Sequence, residues 1–199
     1  MEIIVALLLG YFLGSVNFAV CIARNKGVDL FTVGSGNPGA TNVKRTLGAF
    51  WGNTVFLLDC LKGVSAVLLS FLLFKDTHLN PHLLAIFALS GAILGHSFSL
   101  FLKFKGGKGV ATAMGGLFVL MPPVLLLGLL LWVLVYFSSK IVALASIVFA
   151  LSLPISAALF YSFLDSRFVF CAILSALIII RHQANIKRML SGNENRFKS

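Results

Sequence analysis

From Val142 to Phe163 the chain carries no charged side chain, and a run of that length leaves two choices. In water it needs a core large enough to hide it; in a bilayer it is one crossing, because about 20 apolar residues span the hydrocarbon as a helix. The chain has 199 residues, 59% of them hydrophobic and only 11% charged, with a mean hydropathy of +1.00. Soluble domains use roughly 45–50% apolar residues, and a chain this short cannot bury such an excess. The expected fold class is an all-α integral membrane protein, with residues 1–199 forming a single polytopic membrane domain.

Further apolar runs lie at Ile3–Ala23, Asn53–Phe74, Leu83–Leu102, Val110–Phe137, Ile141–Phe163 and Phe168–Ile180. The fourth contains Met121-Pro122-Pro123, and paired prolines remove two backbone donors and clash with the preceding turn, so two short helices are expected there. Each half would span about 22 Å at 1.5 Å per residue. That makes about seven transmembrane helices, with the N-terminus outside and the C-terminus cytoplasmic. Basic residues support this orientation, because short cytoplasmic loops are enriched in Lys and Arg. The inner loops then hold Arg24, Lys26, Lys44, Arg45, Lys103, Lys105, Lys108, Lys140, Arg181, Lys187, Arg188, Arg196 and Lys198, and the outer loops only Lys75 and Arg167. The first segment starts with Glu2 and lacks a basic leader, so it is expected to stay as a span.

Within the spans, Gly10/Gly14 and Gly91/Gly95 have the four-residue spacing of closely packed membrane helices. Cys21, Cys60 and Cys171 lie singly in separate spans and read as buried free thiols. Asp59 and Lys62, three apart in one span, are costly in lipid unless paired, and read as a structural ion pair.

Glycine and base concentrate in three cytoplasmic-side stretches, at about 34–45, 95–112 and 181–197. The first is GSGNPGATNVKR, the second GHSFSLFLKFKGGKGVAT and the third RHQANIKRMLSGNENRF. Basic loops alone fit membrane-surface attraction, but that does not explain the glycines. A run such as Gly106-Gly107-Lys108-Gly109 lets successive backbone N–H groups turn toward one anion, and a helix opening beyond Lys108 adds its positive end. Gly34, Gly36 and Gly39 match a dinucleotide-binding pattern, but a membrane helix precedes them where a strand is required. A helix starting near Pro38 places Thr41 and Arg45 on one face. His96, late in a span, is either a packing histidine or a site residue, and His182, at a helix end between basic neighbours, is a site candidate. His78 and His82 read as interfacial.

No Ser-His-acid set, no zinc spacing and no His-x-x-x-x-Asp pair is present. The residues by themselves point to a cytoplasm-facing polyanion site, in either an enzyme acting on phosphorylated substrates or a carrier for an anion or lipid phosphate. A carrier built from repeats should show symmetry between its halves, and none is visible. No metal, no organic cofactor and no nucleic-acid partner is expected.

Together the three stretches resemble the cytoplasmic motifs of the bacterial membrane glycerol-3-phosphate acyltransferases that draw on acyl phosphate, in order and spacing over nearly the full length. Gly14-Ser15, Gly27, Asp29 and Asp59-x-x-Lys62-Gly63 add to the likeness. The resemblance implies an enzyme of the cytoplasmic (inner) membrane that joins glycerol 3-phosphate to the acyl group of acyl phosphate. Its products are lysophosphatidic acid and inorganic phosphate, in the first step of phospholipid synthesis. It also implies contact with membrane lipid and a functional link to the enzyme that makes acyl phosphate. An acyl phosphate is an activated mixed anhydride, so direct attack by the glycerol hydroxyl needs no acyl-enzyme.

The resemblance assigns Ser35, Gly36, Asn37, Thr41, Asn42 and Arg45 to the first motif, supplying amides, side-chain donors and a guanidinium for phosphate. Lys105, Gly106, Gly107, Lys108 and Gly109 match the second, together with His96, and Lys105 is expected beside the phosphate and reacting oxygen. His182 and Asn185 match the third, with Arg181 and Arg188 alongside; His182 or a substrate phosphate takes the hydroxyl proton. Arg45, Lys105, His182 and Asn185 are the catalytic candidates. Phe31, Lys103 and Ala143 depart from residues common among relatives.

Overall fold

A computed structural model describes residues 1–197; Lys198 lies outside the described residues. Among them no strand occurs, and the helices are α1 (Glu2–Ser15), α2 (Phe18–Asn25), α3 (Ala40–Leu47), α4 (Ala49–Leu73), α5 (Pro81–Ser97), α6 (Val110–Leu120), α7 (Pro122–Ser139), α8 (Val142–Phe160), α9 (Ser166–Arg181) and α10 (Gln183–Leu190). They fall into two compact units, Met1–Leu120 and the chain from Met121 onward.

The boundary is the expected proline break. Met121 leaves helical geometry and α7 begins on Pro122, where a missing N–H costs nothing. The two pieces are unequal, however. α6 has 11 residues and α7 has 18, or about 16 and 27 Å, because the glycine stretch delays the start of α6 and α7 runs on to Ser139. By length and apolarity five helical segments can cross a membrane, or six if α9 and α10, bent by 56°, count as one span; α6 is shorter. The expected seven crossings therefore require α6 to cross as well. Within the first span the chain also breaks at Val16-Asn17, where Asn17 is extended and its Oδ1 accepts the Val20 N–H at 2.9 Å, capping α2.

In the first unit α1 and α5 meet backbone to backbone. A Cβ on Gly10 or Gly14 would overlap the carbonyl of Ala88 or Ala92, and one on Gly91 or Gly95 that of Leu7 or Tyr11. The two glycine pairs thus face one another in a parallel register. α4 and α6 make a second such contact, with Gly63 against Thr112 and Gly115 against Cys60. Ala19, Ala23, Leu30, Val43 and Val55 form a buried cluster that seats α2, α3 and the connecting loop on α4.

The second unit packs α8 against α7 and α9. Phe149 is fully buried where Gly128 opens room for its ring, and Cys171 Sγ lies 4.0 Å from Met121 Sδ. Only 17% of the apolar window of α7 is buried, the exposure of a helix that faces lipid. Of the three cysteines, all free, only Cys171 is fully buried; Cys60 is half-buried and Cys21, on the outward face of α2, is exposed.

Candidate active site

The first motif is a loop closed by one amide. Gly34 and Gly36 adopt left-handed φ of 61° and 68°, a conformation glycine reaches without steric cost. Across the resulting turn, Asn42 Oδ1 accepts the Ser35 N–H at 2.9 Å, and Asn42 Nδ2 donates to the carbonyls of Leu30 and Val33 at 3.2 and 3.0 Å. Asn42 is 1% exposed, so its side chain is committed to shaping the loop rather than presented on its surface. α3 starts at Ala40 with Gly39 as its N-cap, two residues beyond Pro38. The Pro38 carbonyl accepts from Asn17 Nδ2 at 3.2 Å, tying the loop to the α1–α2 break. Thr41 and Arg45 share a helix face as expected, and they, Ser35, Gly36 and Asn37 are all partly accessible.

The second motif is folded onto the end of α5. After the 3₁₀ turn Leu100–Leu102, Lys103 and Phe104 take consecutive left-handed φ of 51° and 62°, unusual outside glycine. The chain then runs as Gly106–Gly109 across His96 and Ser97. A Cβ on Gly106 would overlap the His96 carbonyl, and one on Gly107 would meet the His96 ring head-on at Nε2. The Gly107 N–H donates to the His96 carbonyl at 3.0 Å, so this amide anchors the loop and does not turn outward. Gly109, at φ 79°, leads into α6. Lys105 is exposed and Lys108 partly so. Tyr11 Oη donates to the Phe98 carbonyl at 2.8 Å and Ser99 Oγ to the Ser15 carbonyl at 2.6 Å, pinning the loop to α1.

Beneath this loop Asp59, Lys62 and His96 form a buried group. Lys62 Nζ lies 2.9 Å from Asp59 Oδ1 and 3.1 Å from His96 Nδ1, and it donates to the carbonyls of Gly14 and Val16 at 3.1 and 2.9 Å. Asp59 is 2% exposed, Lys62 6% and His96 4%. The expected ion pair is present, with a third member.

The third motif occupies the α9–α10 junction of the second unit. His182 caps α9 and starts the turn into α10; it is 2% exposed, and its Nδ1 donates to the Ile178 carbonyl at 2.8 Å. A carbonyl only accepts, so Nδ1 carries a proton. Asn185 Nδ2 donates to Glu194 Oε1 at 3.0 Å, and Arg188 Nε to Glu194 Oε2 at 2.9 Å. The tail reaches this position because Gly192 turns at φ 72° and the Asn193 N–H returns to the Arg188 carbonyl at 2.8 Å. Arg181 is half-buried on the last turn of α9.

A family model described as glycerol-3-phosphate acyltransferase matches residues 4–192. The chain belongs to that family. It is 42% identical over 198 residues to the glycerol-3-phosphate acyltransferase of Aquifex aeolicus, covering 99% of this chain and 100% of the relative. Against the Shewanella woodyi enzyme it is 45% identical over 194 residues, covering 96% and 91%. Two crystal structures of PlsY (YgiH), an integral membrane glycerol 3-phosphate acyltransferase, superimpose on all of this chain and 96% of theirs. The glycerol 3-phosphate form has a TM-score of 0.90 at 39% identity, and the lysophosphatidic acid form 0.87 at 38%.

Within this family member, sequence reasoning overlooked Glu194. The signal was available, since the chain has only six acidic residues and one of them stands in a basic tail after a glycine, where a carboxylate without partners is hard to explain. That Asp59 and Lys62 extend to His96 was not readable, because the contact joins α4 to α5 across a register that only packing sets.

Proposed function

We propose that this protein transfers an acyl group from acyl phosphate to the hydroxyl of glycerol 3-phosphate, releasing inorganic phosphate and lysophosphatidic acid. The observation that carries the reading is the full-length match to relatives solved in a glycerol 3-phosphate form and a lysophosphatidic acid form, the acceptor and the acylated product of one reaction. An activated anhydride as donor fits a chain whose motifs hold glycines, amides and cations and carry no cysteine.

In this reaction the acceptor oxygen attacks the acyl carbonyl, an ester C–O bond forms and the anhydride C–O bond breaks, with phosphate leaving. Arg45, Lys105 and Lys108, with Arg181 and Arg188, offset the charge of the two phosphorylated substrates and of the growing oxyanion. Ser35, Gly36, Asn37 and Thr41 supply donors from the first loop, Gly106, Gly107 and Gly109 let the second pass close to its ligand, and Asn42 holds the first loop in shape. Asn185, fixed by Glu194, orients the acceptor. His182, oriented by the hydrogen bond from its Nδ1 to the Ile178 carbonyl, is one acceptor for the hydroxyl proton; an oxygen of the departing phosphate is the other. His182→Gln separates them: a loss of about 10²–10⁴ in kcat marks His182 as the base, and a smaller loss assigns the proton to phosphate.

With α6 included, the chain crosses the cytoplasmic membrane seven times, N-terminus outside and motifs and C-terminus inside. The test is direct. Purified protein in detergent or lipid is given acyl phosphate and labelled glycerol 3-phosphate; labelled lysophosphatidic acid without acyl-CoA is the expected result, and its absence, or formation only with acyl-CoA, rejects the donor assignment.

A further inference from the structure

Lys62 touches the supports of both glycine loops. Toward the first loop, its ammonium binds the carbonyls of Gly14 and Val16, on either side of Ser15 and next to Asn17, whose amide in turn binds Pro38 of the first motif. Toward the second, it binds His96 Nδ1 at 3.1 Å, and the opposite edge of that ring forms the floor under Gly107. An ammonium has three N–H groups and no lone pair, so His96 Nδ1 must accept, and the ring is neutral with its proton on Nε2. Asp59, 2.9 Å from Nζ, supplies the counter-charge without which a lysine this deep in a membrane helix bundle is costly.

We propose that Lys62, braced by Asp59, is a positioning residue that locks the two glycine loops to one another through the α1–α2 break and the His96 ring. This rests on the reading of those loops as phosphate-binding. Neither residue touches substrate. Their role is to keep two loops, fifty or more residues apart in sequence, at the fixed spacing that a transfer between two phosphorylated molecules demands.

The test compares Lys62→Met with Asp59→Asn/Lys62→Met, since the single change leaves a buried carboxylate unpaired. Both are purified, their thermal midpoints measured, and each substrate titrated at saturating levels of the other. The double variant is expected to fold, with KM raised at least tenfold for glycerol 3-phosphate and for acyl phosphate alike. A folded double variant with both KM values unchanged, or only one of them raised, overturns the proposal. In parallel, ¹⁵N spectra of histidine-labelled unsubstituted protein, with His96→Gln to assign the signal, report the ring directly. An unprotonated Nδ1 with a protonated Nε2 is expected, and a proton on Nδ1 overturns the link from Lys62 even if neither variant can be purified. If unsubstituted protein makes no lysophosphatidic acid, the functional reading fails while the spectra still decide the Lys62–His96 contact.

Discussion

Two buried histidines stand at helix ends, one in each unit, and they are held in opposite ways. His96 receives a hydrogen bond on Nδ1 from a buried ammonium and turns Nε2 onto a glycine; His182 gives its Nδ1 proton to a main-chain carbonyl one turn back. The first ring is a structural floor, with both edges occupied by the protein. The second is braced through Nδ1 on the main chain of its own helix. The partner on Nδ1 thus sets a different tautomer in each ring where position along the chain does not, since both sit at the ends of apolar spans.

The sharpest way to break this contrast is to remove each ring. His182→Ala should lower activity at least about tenfold with little change in thermal midpoint, whereas His96→Ala should lower stability and activity together. Equal kinetic losses without destabilisation would erase the distinction. Next in size is the floor itself. Gly107→Val should abolish nearly all activity while membrane insertion persists, because its side chain would occupy the His96 ring position; Gly192→Val, at a left-handed turn with open space around it, should cost only about 1–2 kcal/mol of local strain. Activity assays alongside extraction and thermal unfolding separate the two.

Glu194→Gln should cost about 1.5–3 kcal/mol, as a hydrogen bond to a charged group does, read as a higher KM for glycerol 3-phosphate with kcat less affected. An unchanged KM would show that Asn185 needs no brace. The smallest effect belongs to the thiols: Cys21→Ala/Cys60→Ala/Cys171→Ala should keep most activity, and complete loss in a folded protein would bring covalent catalysis back.

Much of this arrangement was legible in one dimension because the bilayer enforces it. Apolar length marks the spans, Pro122-Pro123 marks the break, and small residues four apart in two spans predict close helix contact, which the structure resolves into Gly10 and Gly14 against Gly91 and Gly95. Loop chemistry was less legible. Asn42 read as a phosphate ligand because its residue type suits one, yet in the fold three backbone groups claim its amide. The Gly107 N–H read as one of a set turned toward an anion, and it is instead bonded to the carbonyl of His96. In both places the backbone's own unsatisfied groups compete with a ligand for the same donors, and sequence does not say which wins. The helix break at Asn17 was missed for a related reason, since a single polar residue in an apolar run signals a cap only when its side chain finds the amide three residues on.

The backbone contact between α1 and α5 has a mechanical meaning. Where four glycines bring two helices together with no side chain between them, the joint has no slack to absorb an added methyl group. The chain beyond the C-terminal end of α1 leads through α2 to the first loop, and that beyond α5 to the second, so Gly10→Ala or Gly91→Ala would act as a wedge at the pivot of a pair of tongs, and the displacement would be felt at the tips.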